Sequence, residues 1–438
     1  MGSGERVVPA GRRAVARGWN CVGVHDTSRL PAAASAGPGT AAAGLAAWWT
    51  GWAVDLAVRW TTLGWPVRLA RLVAVGCPLP VVPCFMPRPL RSVLAALALL
   101  CGAAPRAVTA QVAATAGSPA AGYHVVKRIA AGGEGGWDYL VVDTARHHLF
   151  VSRGTHTMVV DTRGDSVAAD IPDTPGVHGI ALAPDLGRAY ISNGRDSSVT
   201  VVDLATLATV GRVRGTGANP DAILYHPGTR RVFTFNGGSA SATAIDAATN
   251  AVVGTVALGG KPEFAQEDGS GRVYVNIEDK GEVVAFDART LRVLARWPLA
   301  PCEEPTGLAL DRARGRLVVG CGNKQMAVVD TRSGRVLAAL PAGDRIDAAA
   351  FDPGTGLAFA SGGDGTLTVA RAAGPTGYAV AQTAQTAVSG RTMALDPSTH
   401  RVYVPVAHYG PAPAPTAERP RPRPPMVPGS FEILVLER

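Results

Sequence analysis

The sequence predicts an all-β protein, a seven-bladed β-propeller with four-stranded blades that extends from residue 123 to residue 438. Three observations carry this prediction. A unit of four short strands recurs along the chain, its strands alternate apolar and polar residues, and Gly, Pro, Asn and Asp separate the strands. Four antiparallel strands in about 40 residues are typical of one propeller blade.

The blade count follows from two series of signals that repeat with the unit. The clearest copy of the unit has strands expected at 179–183, 188–192, 198–203 and 208–213. A second-strand residue recurs every 40 to 45 residues: Phe150, Tyr190, Phe233, Tyr274, Val318, Ala358 and Tyr403. The third strand ends in an apolar residue and an acid, degenerate only in the sixth copy: Val160-Asp161, Val202-Asp203, Ile245-Asp246, Phe286-Asp287, Val329-Asp330, Val369-Ala370 and Leu436-Glu437. Two independent series of seven indicate seven blades.

The two ends of the repeat region predict how the ring closes. Tyr123–Ile129 precedes the first repeat and resembles a lone fourth strand, whereas the last repeat stops at its third strand, Phe431–Leu436. We expect the first strand to pair beside the last one, because this pairing completes the seventh blade and removes an open sheet edge.

Several segments resemble a known repeat. The segment YISNGRDSSVTVVD (190–203) is similar to the repeat of the YVTN β-propeller family, the YncE-like proteins, and further similar segments are 135–143, 245–263, 302–311 and 328–344. The resemblance covers roughly 123–438 and implies an exported propeller. It implies no particular reaction, because propellers carry many unrelated activities.

Residues 86–110 have the pattern of a secretory signal peptide. Met86–Arg91 is a positively charged start, Val93–Cys101 is an apolar core, and Ala107–Ala110 offers small residues for cleavage before Gln111. The core is shorter than the roughly 20 apolar residues of a membrane span. The sequence therefore predicts a periplasmic or secreted protein without a stable membrane span in its mature chain; the alternative is a buried helix.

Residues 1–85 precede this predicted signal peptide and show no clean strand or heptad pattern. We interpret them as a non-globular leader or as a mis-assigned upstream start, with translation beginning at Met86. The alternative is a membrane-associated helix within Leu45–Val75, but Asp55 and three arginines interrupt it and make a span costly. Residues 111–122 are expected to form a short linker.

The net charge of +8 belongs to the leader and not to the propeller. The first 110 residues contain 11 Arg, no Lys and 3 acidic residues, whereas the remaining residues contain 31 basic and 31 acidic ones. A basic footprint for nucleic acid is therefore absent from the repeats, and the aromatic residues at the blade positions are expected in the core.

The propeller region contains two cysteines and a proline-rich insertion. Cys302 and Cys321 flank an expected antiparallel pair, which predicts a disulfide and fits an oxidising compartment; the alternative is two buried thiols. The sequence contains no C-x-x-C-H motif, so covalent haem is not indicated. Residues 409–429 separate the second and third strands of the last repeat and are expected to be extended, as a partner-docking flap or as an ordinary long loop.

The candidate site comes from aligning the seven inner strands at one position, which is polar in every copy. We call this set the channel ring: Asp138, His178, Asp221, Glu263, Thr306, Asp347 and Arg391. Sevenfold pseudo-symmetry is expected to bring these side chains together at one mouth of the central channel, near Trp137, Lys261 and Glu304. Four carboxylates are candidate ligands for a divalent cation such as Ca²⁺, and His178 extends the choice to Zn²⁺ or Mn²⁺. The four carboxylates are those of Asp138, Asp221, Glu263 and Asp347. The alternative is a solvated channel lining whose charges neutralise each other.

The function predicted from the sequence is binding. We expect an exported, monomeric scaffold that holds a small molecule, a peptide or an envelope protein at the channel mouth. One alternative is a metal-dependent hydrolase of the lactonase type, although the ring lacks the Asn that such a site needs. A second alternative, single-stranded DNA binding, needs a basic and aromatic mouth, and the acidic ring argues against it.

Overall fold

The computed structural model describes residues 122–374, 377–416, 420 and 422–438, which all lie within one compact unit. The predictions for 1–85, 86–110 and the linker up to residue 121 concern residues outside this range. No helix within the range is both long and apolar enough to cross a membrane.

In the described residues, period-two apolar patterns fold into 28 strands. The first, β1, is His124–Ala130. Blade 1 consists of β2 Leu140–Asp143, β3 His148–Ser152, β4 Thr157–Asp161 and β5 Ser166–Ile171. Blade 2 consists of β6 Val177–Ala183, β7 Arg188–Asn193, β8 Ser198–Asp203 and β9 Thr209–Arg214. Blade 3 consists of β10 Pro220–His226, β11 Arg231–Asn236, β12 Ser241–Asp246 and β13 Val252–Ala257.

The remaining blades repeat this order. Blade 4 consists of β14 Pro262–Glu267, β15 Arg272–Ile277, β16 Glu282–Asp287 and β17 Val293–Pro298. Blade 5 consists of β18 Pro305–Asp311, β19 Arg316–Cys321, β20 Gln325–Asp330 and β21 Val336–Pro341. Blade 6 consists of β22 Ile346–Asp352, β23 Leu357–Gly362, β24 Thr366–Ala373 and β25 Gly377–Gln385. Blade 7 contains β26 Ala394–Asp396, β27 Arg401–Val406 and β28 Glu432–Glu437, and two single-turn 3₁₀ helices lie at Pro184–Leu186 and Glu278–Lys280.

Each of blades 1 to 6 is an antiparallel meander in which strands that are consecutive in sequence pair with each other. In blade 7, β1 supplies the fourth strand, and the sheet order is β1-β28-β27-β26. Ile129 of β1 lies opposite Ile433 of β28. The predicted seven-bladed propeller and its closure by the N-terminal strand are both confirmed.

Residues at the repeated second-strand position are the core that holds neighbouring blades together. Phe150, Tyr190 and Phe233 are completely buried. Phe233 also meets Phe286 of the next blade edge to face, with ring centroids 5.4 Å apart. Because every blade repeats this apolar position, each sheet packs on its neighbour through the same kind of contact.

The Asp that ends the third strand shapes the outer turn of the blade. Asp246 accepts hydrogen bonds from the backbone N–H groups of Ala248 and Thr249 at 3.0 and 2.8 Å. These bonds, above all the one from Thr249, hold the pKa of Asp246 below its ordinary value. In blades 1 to 5 the repeated apolar-Asp signal therefore marks an Asx turn, which the carboxylate stabilises.

Small residues follow the channel ring where the inner strands approach each other. A Cβ added at Gly307 would lie 2.5 Å from the carbonyl carbon of Ala348 on the next inner strand. A Cβ at Gly179 would lie 3.0 Å from the carbonyl oxygen of Asp221. Glycine at these positions allows the close approach that brings the ring residues together.

Cys302 and Cys321 form a disulfide in blade 5, with Cα atoms 5.4 Å apart. Pro305, and not Cys302, is the residue that lies opposite Cys321 in the strand ladder. Cys302 reaches its partner from the segment just before β18, so the bridge fixes the start of this inner strand.

Candidate functional site

The channel ring occupies equivalent positions at the start of the inner strands. Five members are the second residue of their strand: His178, Asp221, Glu263, Thr306 and Asp347. Asp138 and Arg391 precede β2 and β26 by two and three residues, because these two strands begin later than the others. The alignment of the repeats therefore identified one structural level at one mouth of the channel.

His178 connects two carboxylates of the ring. Its Nδ1 lies 2.7 Å from Oδ2 of Asp138 and 3.6 Å from Oδ1 of Asp221, so a proton on Nδ1 is donated to Asp138. Burial opposes the charged imidazolium, but the hydrogen bond to Asp138 and the two carboxylate charges outweigh it and raise the pKa of His178.

Asp221 and Glu263 are buried neighbours that both resist ionisation. Burial and then the charge of Asp138 raise the pKa of Asp221 to about 6. Burial and then the charge of Asp221 raise the pKa of Glu263 to about 8. Lys261 acts against this shift, since its Nζ lies 2.8 Å from Oε1 of Glu263 and also contacts Glu278. The two carboxyl groups therefore titrate as a coupled pair, and both pKa values are raised.

The other half of the ring is neutralised by an arginine. Arg391 forms an ion pair with Asp347, and its Nη2 also lies 3.4 Å from Oδ1 of Asp138. Thr306 donates a hydrogen bond to the carbonyl oxygen of Ile346 at 2.6 Å. A chain of charged contacts thus runs from Asp347 through Arg391, Asp138 and His178 to Asp221 and links five blades.

Two aromatic rings lie beneath the channel ring. Tyr139 and Phe264 stack with their centroids 4.2 Å apart and an interplanar angle of 24°. The buried hydroxyl of Tyr139 has no hydrogen-bond partner among the described residues. Burial, and then the charges of Asp221, Glu263 and Asp138, raise its pKa.

Beyond this aromatic pair, the channel continues as a different kind of cavity of about 340 Å³. Its walls are the later residues of the inner strands, among them Leu140, Ala309, Phe351 and Met393. The polar mouth at the ring and the mostly apolar far end of the channel therefore have separate chemistry.

The four predicted metal ligands do not form one cluster but belong to separate local groups within the channel ring. Glu263 is held by Lys261, and Asp347 is held by Arg391. Asp138, His178 and Asp221 form a group whose ligand atoms all lie within 4.8 Å of one another, and such a set suits a divalent cation. A cation bound there would displace the proton that His178 now shares with Asp138.

A larger pocket of about 400 Å³ lies beside the ring and shares Arg391 with it. We call it the mouth pocket, and it is lined by Gly136, Trp137, Arg345, Gly363, Val388, Ser389, Arg391, Tyr409, Arg423 and Pro424. Three of these residues come from the proline-rich insertion. Sequence reasoning placed Trp137 and Arg391 at the channel mouth but did not connect Arg345, Tyr409 or Arg423 with it. For Tyr409 and Arg423, the proline-rich insertion was the one signal in the sequence.

Arg153 supports the wall of the mouth pocket from behind. This side chain is completely buried, and its guanidinium donates to the carbonyl oxygens of Gly132, Glu134 and Gly135 at 2.9, 2.9 and 3.2 Å. Burial lowers the pKa of Arg153 to about 10. The glycine-rich stretch before Trp137 thereby becomes a fixed wall.

The insertion is anchored at its base over this pocket. Tyr409 and Met426 form an isolated antiparallel bridge. Gly410 donates to the carbonyl oxygen of Pro425, and Val427 donates to that of His408, both at 2.9 Å. Tyr409 also lies beside Trp137, with ring centroids 6.3 Å apart. These contacts hold Tyr409 against the propeller.

The comparisons with solved structures agree on the fold. Hydrazine synthase of Kuenenia stuttgartiensis matches with a TM-score of 0.53 and 17% identity over 63% of this chain and 93% of that one. The WD40 repeats of RRP9 match with a TM-score of 0.59 and 13% identity over 72% and 97%. A chain of the mitotic checkpoint complex matches with a TM-score of 0.59 and 12% identity over 72% and 92%. At these identities the likeness shows a β-propeller of the WD40-like kind. No family model and no curated protein sequence matches the chain.

Proposed function

We propose that the protein is an exported binding protein of the YncE-like kind, which holds a small molecule at the polar mouth of its channel. The mouth pocket carries this proposal. Its volume of about 400 Å³ falls in the range of small-molecule sites, and it combines two aromatic rings with convergent polar groups. Export is supported by the predicted signal peptide and by the disulfide between Cys302 and Cys321.

The charge pattern of the ring supports binding more than catalysis. Asp138, Asp347 and Glu263 each have a cationic partner within the ring or beside it. Such pairing fixes these side chains as a rigid rim.

The test is a thermal-shift screen of the full chain with a library of small acids, amides and bases at millimolar concentration. Ligands of the folded state raise the melting temperature by mass action. Hits should lose their effect in Val388→Trp, which fills the pocket from an exposed position, and keep it in Val210→Trp, an exposed position on the outer strand β9. Hits that persist in Val388→Trp, or a library without hits, would refute the proposed site.

A second candidate function is metal-dependent hydrolysis of lactones or esters. The group of Asp138, His178 and Asp221 favours it, because its donor atoms converge. The pKa of Glu263, about 8 in the protein alone, would fall beside a bound cation, and the ionised carboxylate would then serve as a general base. Metal analysis of the full chain decides this case: a stoichiometric cation that is lost in Asp221→Asn supports hydrolysis, and a metal-free protein refutes it.

A further inference from the structure

The mouth pocket has an excess of positive charge. Among the described residues that line it, three are arginines and none is Asp or Glu. Arg391 is balanced by Asp347 and Asp138. Arg345 and Arg423, in contrast, form no ion pair with any carboxylate in the described part of the chain, and both are exposed. Among the described residues, the Arg345 side chain makes one hydrogen bond, from Nη2 to the carbonyl oxygen of Gly363 at 2.9 Å.

The charges of three arginines act on the hydroxyl of Tyr409. Burial raises the pKa of Tyr409, and the charges of Arg391, Arg423 and Arg153 act against this rise. Arg153 lies behind the wall and adds a buried positive charge. This charge is not neutralised by an ion pair, since no carboxylate of the described residues lies within ion-pair distance of Arg153. An anion placed beside Tyr409 would therefore meet several guanidinium groups and no nearby negative charge from the lining.

The rest of the lining is apolar and partly uncovered. Trp137 presents a buried indole, while Tyr409 and Val388 are 46% and 67% exposed, and Pro424 completes this side. Flat rings pack well on Trp and Tyr, and an arginine plane can stack on a ring or bind a carboxylate through two parallel hydrogen bonds. The uncovered apolar surface and the arginines lie in the same cavity.

We propose that the mouth pocket selects an organic anion with a flat apolar body, of the aromatic carboxylate class, and that Arg345 and Arg423 set its preference for negative charge. This inference rests on the proposed function, since it names the ligand class of the same site. The carboxylate would lie among the arginines, and the ring of the ligand would lie against Trp137 and Tyr409.

The experiment is isothermal titration of the full chain with matched pairs of probes. The probes are benzoate, 2-naphthoate and indole-3-acetate, each compared with its own primary amide, which has the same shape and no charge. We expect at least one carboxylate to bind about tenfold tighter than its amide, which is the effect of one additional charge-assisted hydrogen bond.

The double variant Arg345→Gln and Arg423→Gln should abolish this preference. Arg335→Gln should leave the preference unchanged, because Arg335 is exposed on the outer turn of blade 5 and has no ion pair with any described residue. Added salt should weaken binding of the carboxylate more than that of the amide.

The outcomes separate this inference from the proposed function. If amides bind as tightly as acids and Val388→Trp still abolishes binding, the anion preference is wrong and the site remains. If binding of the carboxylate survives in Val388→Trp, both are wrong. A ten-residue oligothymidylate is a further probe: its binding in the absence of any carboxylate binding would overturn the inference in favour of single-stranded nucleic acid.

Discussion

Glu263 makes the stability of the propeller depend on pH, and Glu263→Gln should remove much of this dependence. The side chain is 6% exposed and lies in the field of Asp221. Its pKa is raised from 4.5 to about 8. Each pKa unit corresponds to about 1.4 kcal/mol, so ionised Glu263 costs the folded state up to ~5 kcal/mol. Glutamine has the same shape as the protonated carboxyl group and cannot ionise.

The direction in which the free energy of unfolding changes with pH depends on which state, folded or unfolded, binds the proton more tightly. The folded state holds the proton of Glu263 up to about pH 8, whereas the unfolded chain releases it near 4.5. The stabilisation is therefore complete below pH 4.5 and is lost as the pH rises through 8. The raised pKa values of Asp221 and His178 act in the same direction, so Glu263→Gln should retain a smaller slope.

Urea unfolding of the full chain at about pH 5, 7 and 9 measures this effect. The free energy of unfolding of the wild type should fall across this range by several kcal/mol, while that of Glu263→Gln should fall less. The variant should equal the wild type at the lowest pH and exceed it at the highest. Glu303→Gln is the matched control and should follow the wild type, because Glu303 is exposed and forms no ion pair within the described part of the chain. Equal slopes for the wild type and Glu263→Gln would refute the reasoning.

Three further predictions concern the scaffold. The double variant Cys302→Ala and Cys321→Ala should lose ~3 kcal/mol in the free energy of unfolding, because the bridge closes a loop with a sequence separation of 19. Reductant should have the same effect on the wild type and none on the variant, and an unchanged wild type would contradict the role of the bridge. Gly307→Ala should cost roughly 1–3 kcal/mol through overpacking against the backbone of Ala348, as seen in thermal unfolding, and a neutral effect would mean that the inner strands can separate. A chain that ends before Phe431 should fail to fold by circular dichroism because it lacks β28, and a soluble, folded truncation would disprove the closure argument.

The sequence was sufficient for the fold because each blade is a local unit. Alternation, turn residues and the apolar-Asp signal recur in every copy, so errors in one blade were corrected by the others. The degenerate sixth copy shows this, since Val369-Ala370 lies inside the longer strand β24, Thr366–Ala373, without disturbing the count. The same repetition located the channel ring, because equivalent positions in equivalent strands reach the same level.

The pairing within the site could not be predicted in this way. Which neighbour His178, Arg391 or Lys261 selects depends on side-chain reach across the blade interfaces, and the repeat does not encode this reach. The mouth pocket was missed for a different reason. Tyr409 and Arg423 belong to an insertion without a counterpart in the other blades, and only the contacts of Tyr409 with Trp137 and Met426 place it at the channel.

The central claim is that the ligand lies in the mouth pocket, and a crystal structure of the full chain with its tightest-binding carboxylate tests this claim most directly. We expect electron density between Trp137, Arg391 and Tyr409, with the carboxylate near Arg345 and Arg423. Density in the apolar cavity near Leu140, or on the outside of the blades, would contradict it.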